Sequence, residues 1–405
     1  MFYRLLAGFV TLVLLIINAH LYKNFDQDEA IDDVIKQLAF LGDALRSGAG
    51  KDMQKLFPEG FFFSHVLYGL AWAEIGKQEM QSSPLRQTAL SEANWALDQL
   101  DSRAAKWMFD PNLNPPHGAF YVGWSSWLRG NVLAIQNRDS IKLAEAKRFI
   151  DDCSNLSFAF SRTPFIESYH RQAWPADALV GVAALRLHDQ LFAPRFSDTI
   201  SNWIMETKKR LDPGTGLLPH AVDFNTGYPT AGARGSSQAL MIRFLAEIDR
   251  KFAQGQYLIF RKPFVTSVFG LPGIREYPFG QDGKGDVDSG PVIFSIGAAA
   301  TIVALGTART MGDNELAESL EQCIETVGLP TTWGKKKFYV FGQMPIGDAF
   351  LVWSKAASPR TLPRSADIYP SCIHWWWRFP LHALTVIFIV LVWSPVIFRK
   401  SRGMR

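Results

Sequence analysis

The densest group of chemically active side chains in the 405-residue sequence is Glu167-Ser168-Tyr169-His170-Arg171. This segment places an acid, a phenol, an imidazole and a guanidinium side by side, and Trp174 follows it. Glu167 or His170 could transfer protons, whereas Tyr169 and Arg171 could position a substrate. A hydrogen-bonded network that only closes a loop is the alternative interpretation.

A second candidate is Asp286-Val287-Asp288-Ser289-Gly290, which places two carboxylates just before an expected helix. Neighbouring carboxylates can have pKa values driven apart, so that one acts as general acid and the other as base. Helix capping is the competing interpretation. The stretch offers too few oxygen ligands for a calcium site, and we predict neither a metal nor a cofactor.

Arg234 lies on the first turn of an expected apolar helix. A buried arginine is costly unless it is paired, so the sequence predicts a partner acid such as Asp223 or Asp288. A structural ion pair and a clamp on the substrate both remain open. Aromatic residues supply possible binding faces, and Tyr121 and Trp124 are the nearest to the expected rim. Each alone is typical of a core, but together with carboxylates they are typical of a sugar-binding cleft.

The elements that must position these residues are helices. Segments rich in small and apolar residues alternate with segments that have one apolar stripe and one charged face. We predict six buried helices beginning near Gly60, Tyr121, Gln172, Gly232, Pro291 and Gly347, and outer helices near 27–48, 86–100, 141–159, 194–210, 252–266 and 313–326. Short strands are predicted only near 338–341 and within 256–268. This alternation favours an all-α (α/α)6 barrel, with a stacked solenoid as the competitor.

In such a ring, the loops that lead into the buried helices share one rim. Five of these six loops carry a carboxylate, and the first and last contribute Glu59 and Asp348. We therefore expect the candidate residues to meet at that rim.

Two apolar segments flank this domain. The first runs from Leu5 to Tyr22 without a charge, and we expect an uncleaved anchor because no small-x-small cleavage site follows it. The second runs from Phe379 to Phe398 after Trp375-Trp376-Trp377-Arg378. Basic residues after the second segment predict a cytoplasmic C-terminus, and Arg4 before the first segment agrees with a cytoplasmic N-terminus. The middle of the chain is then expected in the periplasm or outside the cell.

The net charge, the cysteines and the absence of common catalytic motifs exclude or disfavour several classes of function. The net charge of +4 resides at the two ends, so nucleic acid is not an expected partner. The three cysteines match neither a zinc site nor a disulfide framework. Nucleophile-elbow, phosphate-loop, dinucleotide and His-Glu-x-x-His motifs do not occur, which argues against the common hydrolase, kinase, dehydrogenase and metalloprotease classes.

Three segments in order resemble the linalool dehydratase/isomerase family: Leu211 to Leu217, Asp286 to Asp313, and Gly347-Asp348-Ala349-Phe350-Leu351. The resemblance covers about residues 55–357 and implies an (α/α)6 barrel that dehydrates and isomerises a terpene alcohol without a cofactor. The two catalytic cysteines of that family correspond here to Ile166 and Ala173, and its histidine on the second inner helix corresponds to Trp124.

A looser similarity is to the unsaturated glucuronyl and rhamnogalacturonyl hydrolases, which are also (α/α)6 barrels. It rests on Asp212-Pro213-Gly214-Thr215-Gly216-Leu217 and on Ala233-Arg234-Gly235. This similarity implies an acidic residue that protonates a sugar double bond before water adds.

The leading functional prediction is a hydrolase or lyase acting on an envelope or exopolysaccharide glycan. Asp288 or Glu167 would be the general acid and Asp286 or Asp223 the base, with His170 among the catalytic candidates. Two alternatives remain: a lyase or isomerase acting on a terpenoid or lipid alcohol, and a non-catalytic scaffold of an envelope assembly, which would bind protein partners. The predicted substrate-binding residues are Tyr169, Arg171, Arg234, Tyr121, Trp124, Trp174, Glu59 and Asp348.

The predicted organisation has five parts. Residues 1–23 form a membrane anchor, 24–357 the barrel, 358–378 a linker with an aromatic interface segment, 379–398 a second transmembrane helix, and 399–405 a basic cytoplasmic tail. The membrane is thus an expected partner.

Overall fold

The computed structural model describes residues 2–23, 27–137, 143–287, 289–357 and 369–402. The helices in these ranges are α1 (Phe2–His20), α2 (Gln27–Arg46), α3 (Ala49–Leu56), α4 (Gly60–Gln78), α5 (Pro84–Leu100), α6 (Arg103–Lys106), α7 (Gly118–Ile135), α8 (Leu143–Phe160), α9 (Pro175–Leu191), α10 (Ser197–Lys208), α11 (Gly235–Ile248), α12 (Arg250–Phe264), α13 (Ala298–Met311), α14 (Asn314–Val327), α15 (Pro345–Ala356) and α16 (Phe379–Arg402).

The inner layer is a closed ring of the helices α4, α7, α9, α11, α13 and α15. Each packs against the next, and α15 returns to pack against α4. The helices α2, α5, α8, α10, α12 and α14 lie outside them, so the described residues form an (α/α)6 barrel. The contact between α15 and α4 distinguishes this ring from an open solenoid, and the predicted fold class is confirmed.

Aromatic side chains fill the interior of the ring. The Trp124 ring lies 5.2 Å from the Phe244 ring and 5.9 Å from the Trp353 ring, measured between centroids. Phe63 lies 5.5 Å from Trp124 in the same way. Because Trp124 and Trp353 are buried, the centre of the barrel is a packed core rather than a channel. A binding site must therefore lie at one of its ends.

The two ends of the barrel differ in their connections. Inner helices lead into outer ones through short turns, whereas outer helices return to inner ones through long segments. Four antiparallel hairpins lie in these long segments: β1–β2 (Ala221–Val222 and Pro229–Ala231), β3–β4 (Val265–Val268 and Leu271–Ile274), β5–β6 (Val292–Ile293 and Ile296–Gly297) and β7–β8 (Thr331–Trp333 and Lys336–Phe338). We call this end the long-loop rim.

Both strand predictions are corrected in detail. Most of 256–268 is helical, because α12 continues to Phe264, and the strand is confined to Val265–Val268. In the second region the strand ends at Phe338, and a 3-10 turn, Val340–Gly342, follows it. Phe341 has a positive φ of 56° inside that turn, which an extended strand does not allow.

The helices α1 and α16 form an antiparallel pair. Asn18, near the end of α1, donates to Thr385 (2.6 Å) and contacts the His382 ring nitrogen (2.6 Å), near the start of α16. At the other end, the Tyr3 hydroxyl donates to the carbonyl of Val392 (2.7 Å). Both helices are apolar and long enough to cross a membrane, and their residues are largely exposed.

Candidate functional site

The clearest constellation at the long-loop rim is built around Arg234. Its Nε lies 2.8 Å from a carboxylate oxygen of Glu276, and its Nη1 lies 2.5 Å from Asp286. The Glu276 side chain is fully buried, whereas that of Asp286 is 45% exposed. The predicted ion pair therefore exists, but its acids are Glu276 and Asp286. Asp223, which we expected as a partner, is engaged elsewhere, and Asp288 lies outside the described residues.

The backbone fixes this arrangement at Gly235. A Cβ on Gly235 would lie 1.9 Å from the carbonyl oxygen of Arg275, so only glycine allows the two segments to approach so closely. The Gly235 N–H donates to the Glu276 carbonyl (2.8 Å), and the Ser236 hydroxyl donates to the Glu276 carboxylate (2.8 Å). Glu276 thus anchors Arg234, and Arg234 in turn holds Asp286 at the surface.

The two carboxylates have opposite pKa shifts. Burial raises the pKa of Glu276 above its ordinary value. Burial acts in the same direction on Asp286, but the hydrogen bond and charge of Arg234 outweigh it and hold the pKa of Asp286 well below its usual range. Asp286 is therefore ionised at neutral pH and reachable from solvent, the state required of an electrostatic stabiliser.

His220 extends this network, and the sequence analysis did not find it. Its Nε2 lies 3.4 Å from Arg234 Nη1, and its Nδ1 lies 3.2 Å from the Ser237 hydroxyl. Burial and the charge of Arg234 lower the pKa of His220 to about 4. A neutral His220 accepts at Nε2 from Arg234 and donates from Nδ1 to Ser237. It positions the guanidinium without adding charge.

A second pair at the rim joins Glu59 to Tyr169, which are 110 residues apart in the chain. The Tyr169 hydroxyl donates a hydrogen bond to the Glu59 carboxylate. Tyr169 also meets the Trp174 ring edge to face, with centroids 5.5 Å apart. All three side chains are partly exposed. The acid of the first predicted loop therefore meets a phenol and an indole from the segment around 167–174.

The neighbouring predicted residues have more local roles. One Glu167 carboxylate oxygen accepts the backbone N–H of Arg171 (2.5 Å), which closes the turn as the alternative interpretation anticipated. The side chains of Arg171 and His170 are exposed, and the Arg171 guanidinium lies 5.5 Å from the centre of the Phe224 ring. Both are free to meet a ligand above the rim.

Asp223 caps its own turn. One of its oxygens accepts the N–H groups of Asn225 (3.1 Å) and Thr226 (2.8 Å) and the Thr226 hydroxyl (2.9 Å). These hydrogen bonds lower the pKa of Asp223. Its carboxylate is thus committed to the loop before β2, in contrast to the Asp286 carboxylate.

The aromatic residues of the second inner helix belong to the packing. The hydroxyl of the buried Tyr121 donates to the carbonyl of Leu100 (2.9 Å), towards the outer layer. Trp124 is fully buried in the centre of the barrel. Ile166 and Ala173, which the resemblance to the linalool dehydratase/isomerase family sets against that family's catalytic cysteines, are 3% exposed each.

Asp348 lies below the surface, where it accepts the backbone N–H of Tyr339 (3.0 Å). Burial raises the pKa of Asp348 to about 7. Since the folded carboxyl holds its proton more tightly than an unfolded one, the stability it contributes is present at low pH and is lost as the pH rises from about 4 to about 7.

We therefore expect Asp348→Asn, which keeps an acceptor for the Tyr339 N–H, to raise the melting temperature at about pH 8 and to leave it unchanged near pH 4. Thermal unfolding of both proteins in detergent at the two pH values measures the difference. The buried histidines are present in both proteins, so their pH-dependent contribution to stability cancels when the two melting temperatures are compared. An equal difference at both pH values would contradict the assignment.

A buried ionic cluster beside Asp348 was not predicted. The Lys337 ammonium lies 2.7 Å from Asp33 and 2.8 Å from Glu325, and the Lys355 ammonium lies 2.7 Å and 2.6 Å from the same two carboxylates. The Tyr339 hydroxyl donates to Glu325. The cluster joins α2, the first outer helix, to α14, β8 and α15 at the other end of the sequence. The cluster thus holds together the first and last parts of the barrel where the ring closes.

A cavity of about 230 Å³ lies at the opposite end of the barrel, where the inner helices end. Arg243 reaches its wall and stacks on the Trp353 ring at 3.4 Å, and burial lowers the pKa of Arg243 to about 10. Glu74, Glu247 and Trp127 also line it. This cavity is remote in the fold from the rim clusters. Within the described ranges, no three His, Cys, Asp or Glu side chains are grouped to hold a metal ion.

No family model matches the chain, and no curated protein matches its sequence. Several solved structures are similar to it, including the following three. A GH76 α-mannanase of Bacteroides thetaiotaomicron has 11% identity and a TM-score of 0.45, over 73% of this chain and 85% of that one. An unsaturated glucuronyl hydrolase specific for heparin has 13% identity and a TM-score of 0.47, over 76% and 86%.

A D-mannose isomerase has 9% identity and a TM-score of 0.45, over 72% of this chain and 85% of that one. We transfer no residue role from these proteins. The all-α barrel of this chain is established by its own ring of helices, which two candidate membrane helices accompany.

Proposed function

We propose that the chain is a membrane-anchored enzyme that binds a glycan at the long-loop rim and cleaves it as a hydrolase or lyase. The observation that carries this proposal is Asp286, a partly exposed carboxylate that Arg234 keeps ionised while buried Glu276 fixes Arg234. Such a group can stabilise the positive charge that develops on a sugar ring as the glycosidic bond breaks. Its low pKa makes it a weak base towards water or a sugar carbon.

The Glu59–Tyr169 pair supplies the complementary proton. In this pair the phenol carries the proton and donates it to the carboxylate in a hydrogen bond, and the Tyr169 hydroxyl could pass that proton to a leaving group. Tyr169 and Trp174 present ring faces next to it, as saccharide sites commonly do. His170 and Arg171 add exposed polar groups. Glu167, Asp288 and Asp223 remain candidates for acid and base from the sequence, although the turn-capping roles of Glu167 and Asp223 make both weaker candidates.

The terminal helices support anchoring and topology. Because α1 and α16 are antiparallel, their outer ends lie on the same side, and the basic residues Arg399, Lys400 and Arg402 follow the apolar part of α16. The positive-inside rule then places both termini in the cytoplasm and the barrel on the periplasmic or outer side.

The test is a screen of envelope glycans with the full chain in detergent. New reducing ends without a new ultraviolet-absorbing double bond would identify a hydrolase, and the double bond together with new reducing ends would identify a lyase. We expect Tyr169→Phe, which removes the phenolic hydroxyl and its proton, to lower turnover about a hundredfold. Tyr228→Phe is the matched control, because Tyr228 is an exposed tyrosine of the same rim. Equal turnover by Tyr169→Phe and the control would remove Tyr169 from the mechanism.

A further inference from the structure

Two hairpins flank the segment that carries Glu276 and Asp286. The hairpin β3–β4 turns through Phe269 and Gly270, whose φ angles are 50° and 83°. The hairpin β5–β6 turns through Phe294 and Ser295, with φ angles of 50° and 66°. Two-residue turns with both φ angles positive favour Asn-Gly. Here each begins instead with a phenylalanine, which is a strained choice in the left-handed region.

The fold does not require these rings. Phe269 is 56% exposed and Phe294 is 68% exposed, and the two rings meet edge to face with centroids 5.8 Å apart. Ile293, beside Phe294, is 63% exposed. Two strained turns thus present one apolar patch to the outside. We call Phe269, Ile293 and Phe294 the hairpin patch.

The hairpin patch adjoins the start of α16. A Cβ on Gly270 would lie 2.0 Å from the carbonyl oxygen of Trp377 and 3.0 Å from the ring of Pro380. Next to this contact, Trp375, Trp376 and Phe379 are 91%, 46% and 69% exposed. The exposed aromatic surface therefore continues from the hairpin patch to the first turn of the apolar helix. Aromatic residues at such a level are typical of the membrane–water interface.

We propose that the hairpin patch enters the interfacial layer of the bilayer and that the substrate of the Asp286 site is a glycan attached to a membrane lipid. The substrate part rests on the proposed function. Glu276 and Asp286 lie on the segment between the two inserted turns, so the bilayer surface lies beside the site. A lipid-linked saccharide would present its head group there while its chain stays in the membrane.

Membrane depth tests the surface without any activity. Phe269→Cys and Phe294→Cys are made in a Cys372→Ser background, because Cys153 and Cys323 are buried. The full chain carries an NBD label and is reconstituted into phosphatidylcholine vesicles that contain doxyl-labelled lipid. The matched control is Phe158→Cys, at an exposed phenylalanine on α8.

We expect doxyl lipid to quench the label at 269 and 294 but not at 158. Equal quenching at all three positions would overturn the proposal. Self-quenching of the label that grows with the protein-to-lipid ratio, without quenching by doxyl lipid, would assign the patch to a second copy of the chain and would also overturn it.

Activity then tests the substrate class. The variant Phe269→Asn/Phe294→Asn places a residue that tolerates positive φ in each turn, so it is expected to melt no lower than the wild type. We expect it to lower turnover of a lipid-linked glycan about tenfold while turnover of the same free glycan stays unchanged. Equal losses on both substrates would refute the lipid-linked class. If neither substrate is turned over by the wild type, the proposed function fails, and the depth measurement still decides the surface.

Discussion

Asp286→Asn is expected to lower glycan turnover at least about a hundredfold, because it replaces an ionised carboxylate that reaches solvent with a neutral amide. The fold should tolerate the change. Arg234 keeps its contacts with buried Glu276, and the Asp286 side chain is 45% exposed. Turnover and melting temperature are measured for the wild type and Asp286→Asn in detergent. Lower turnover at an unchanged melting temperature shows a loss of chemistry rather than of structure.

Asp282→Asn is the matched control for this prediction. Asp282 lies on the same segment and also pairs with an arginine, Arg275, at 3.1 Å, but its side chain is 81% exposed. We expect its substitution to leave turnover within about twofold of the wild type, since exposed ion pairs contribute little. Similar losses in both variants would show that the loop as a whole, rather than the Asp286 carboxylate, is required.

Glu325→Gln is expected to lower the free energy of unfolding by about 3–5 kcal/mol, because it leaves two buried ammonium groups with too little negative charge. The Glu325 side chain is fully buried, and its carboxylate contacts both Lys337 and Lys355. Although burial alone would raise the pKa of Glu325, the two lysines hold it well below its ordinary value. Denaturant unfolding of the full chain in detergent measures the loss.

Two further variants make this prediction specific. Lys336 precedes Lys337 in the chain and pairs at the surface with Asp43 (2.6 Å). We expect Lys336→Gln, which removes this exposed pair, to lower the free energy of unfolding by at most about 1 kcal/mol. Glu325→Gln/Lys337→Met removes one acid together with one base, so it should recover part of the stability that Glu325→Gln loses. A double variant less stable than Glu325→Gln by the full cost of Lys337→Met would show that the charges are not coupled.

The helices were predictable because each inner helix is apolar on nearly all sides, which only a double-layered ring can accommodate. The first inner helix begins at Gly60, as predicted, and the last begins at Pro345, two residues before the expected Gly347. The fifth begins at Ala298 rather than near Pro291, because β5–β6 occupies the residues between them. Strands of two residues leave no alternating pattern that a sequence could show.

The candidate site was predictable only in part. The apolar helix around Arg234 indicated that this arginine needed an acid, but Glu276 lies 42 residues further along and belongs to no recognisable motif. The same reason hid the buried ionic cluster, in which Asp33 and Lys337 are 304 residues apart. Tyr169 and Glu59 were both selected from their loops, yet their contact depends on the closure of the ring, which no local pattern encodes.

Closure of the ring between α4 and α15 also has a consequence for biosynthesis. The first inner helix is made early, but its neighbour on one side is nearly the last part of the barrel to leave the ribosome. Until then, one apolar flank of α4 has no partner, and folding must wait for a contact between distant parts of the chain. The barrel therefore completes only after almost the whole domain has been synthesised. A chain that ends before α15 would expose the apolar flank of α4 and would be prone to aggregate.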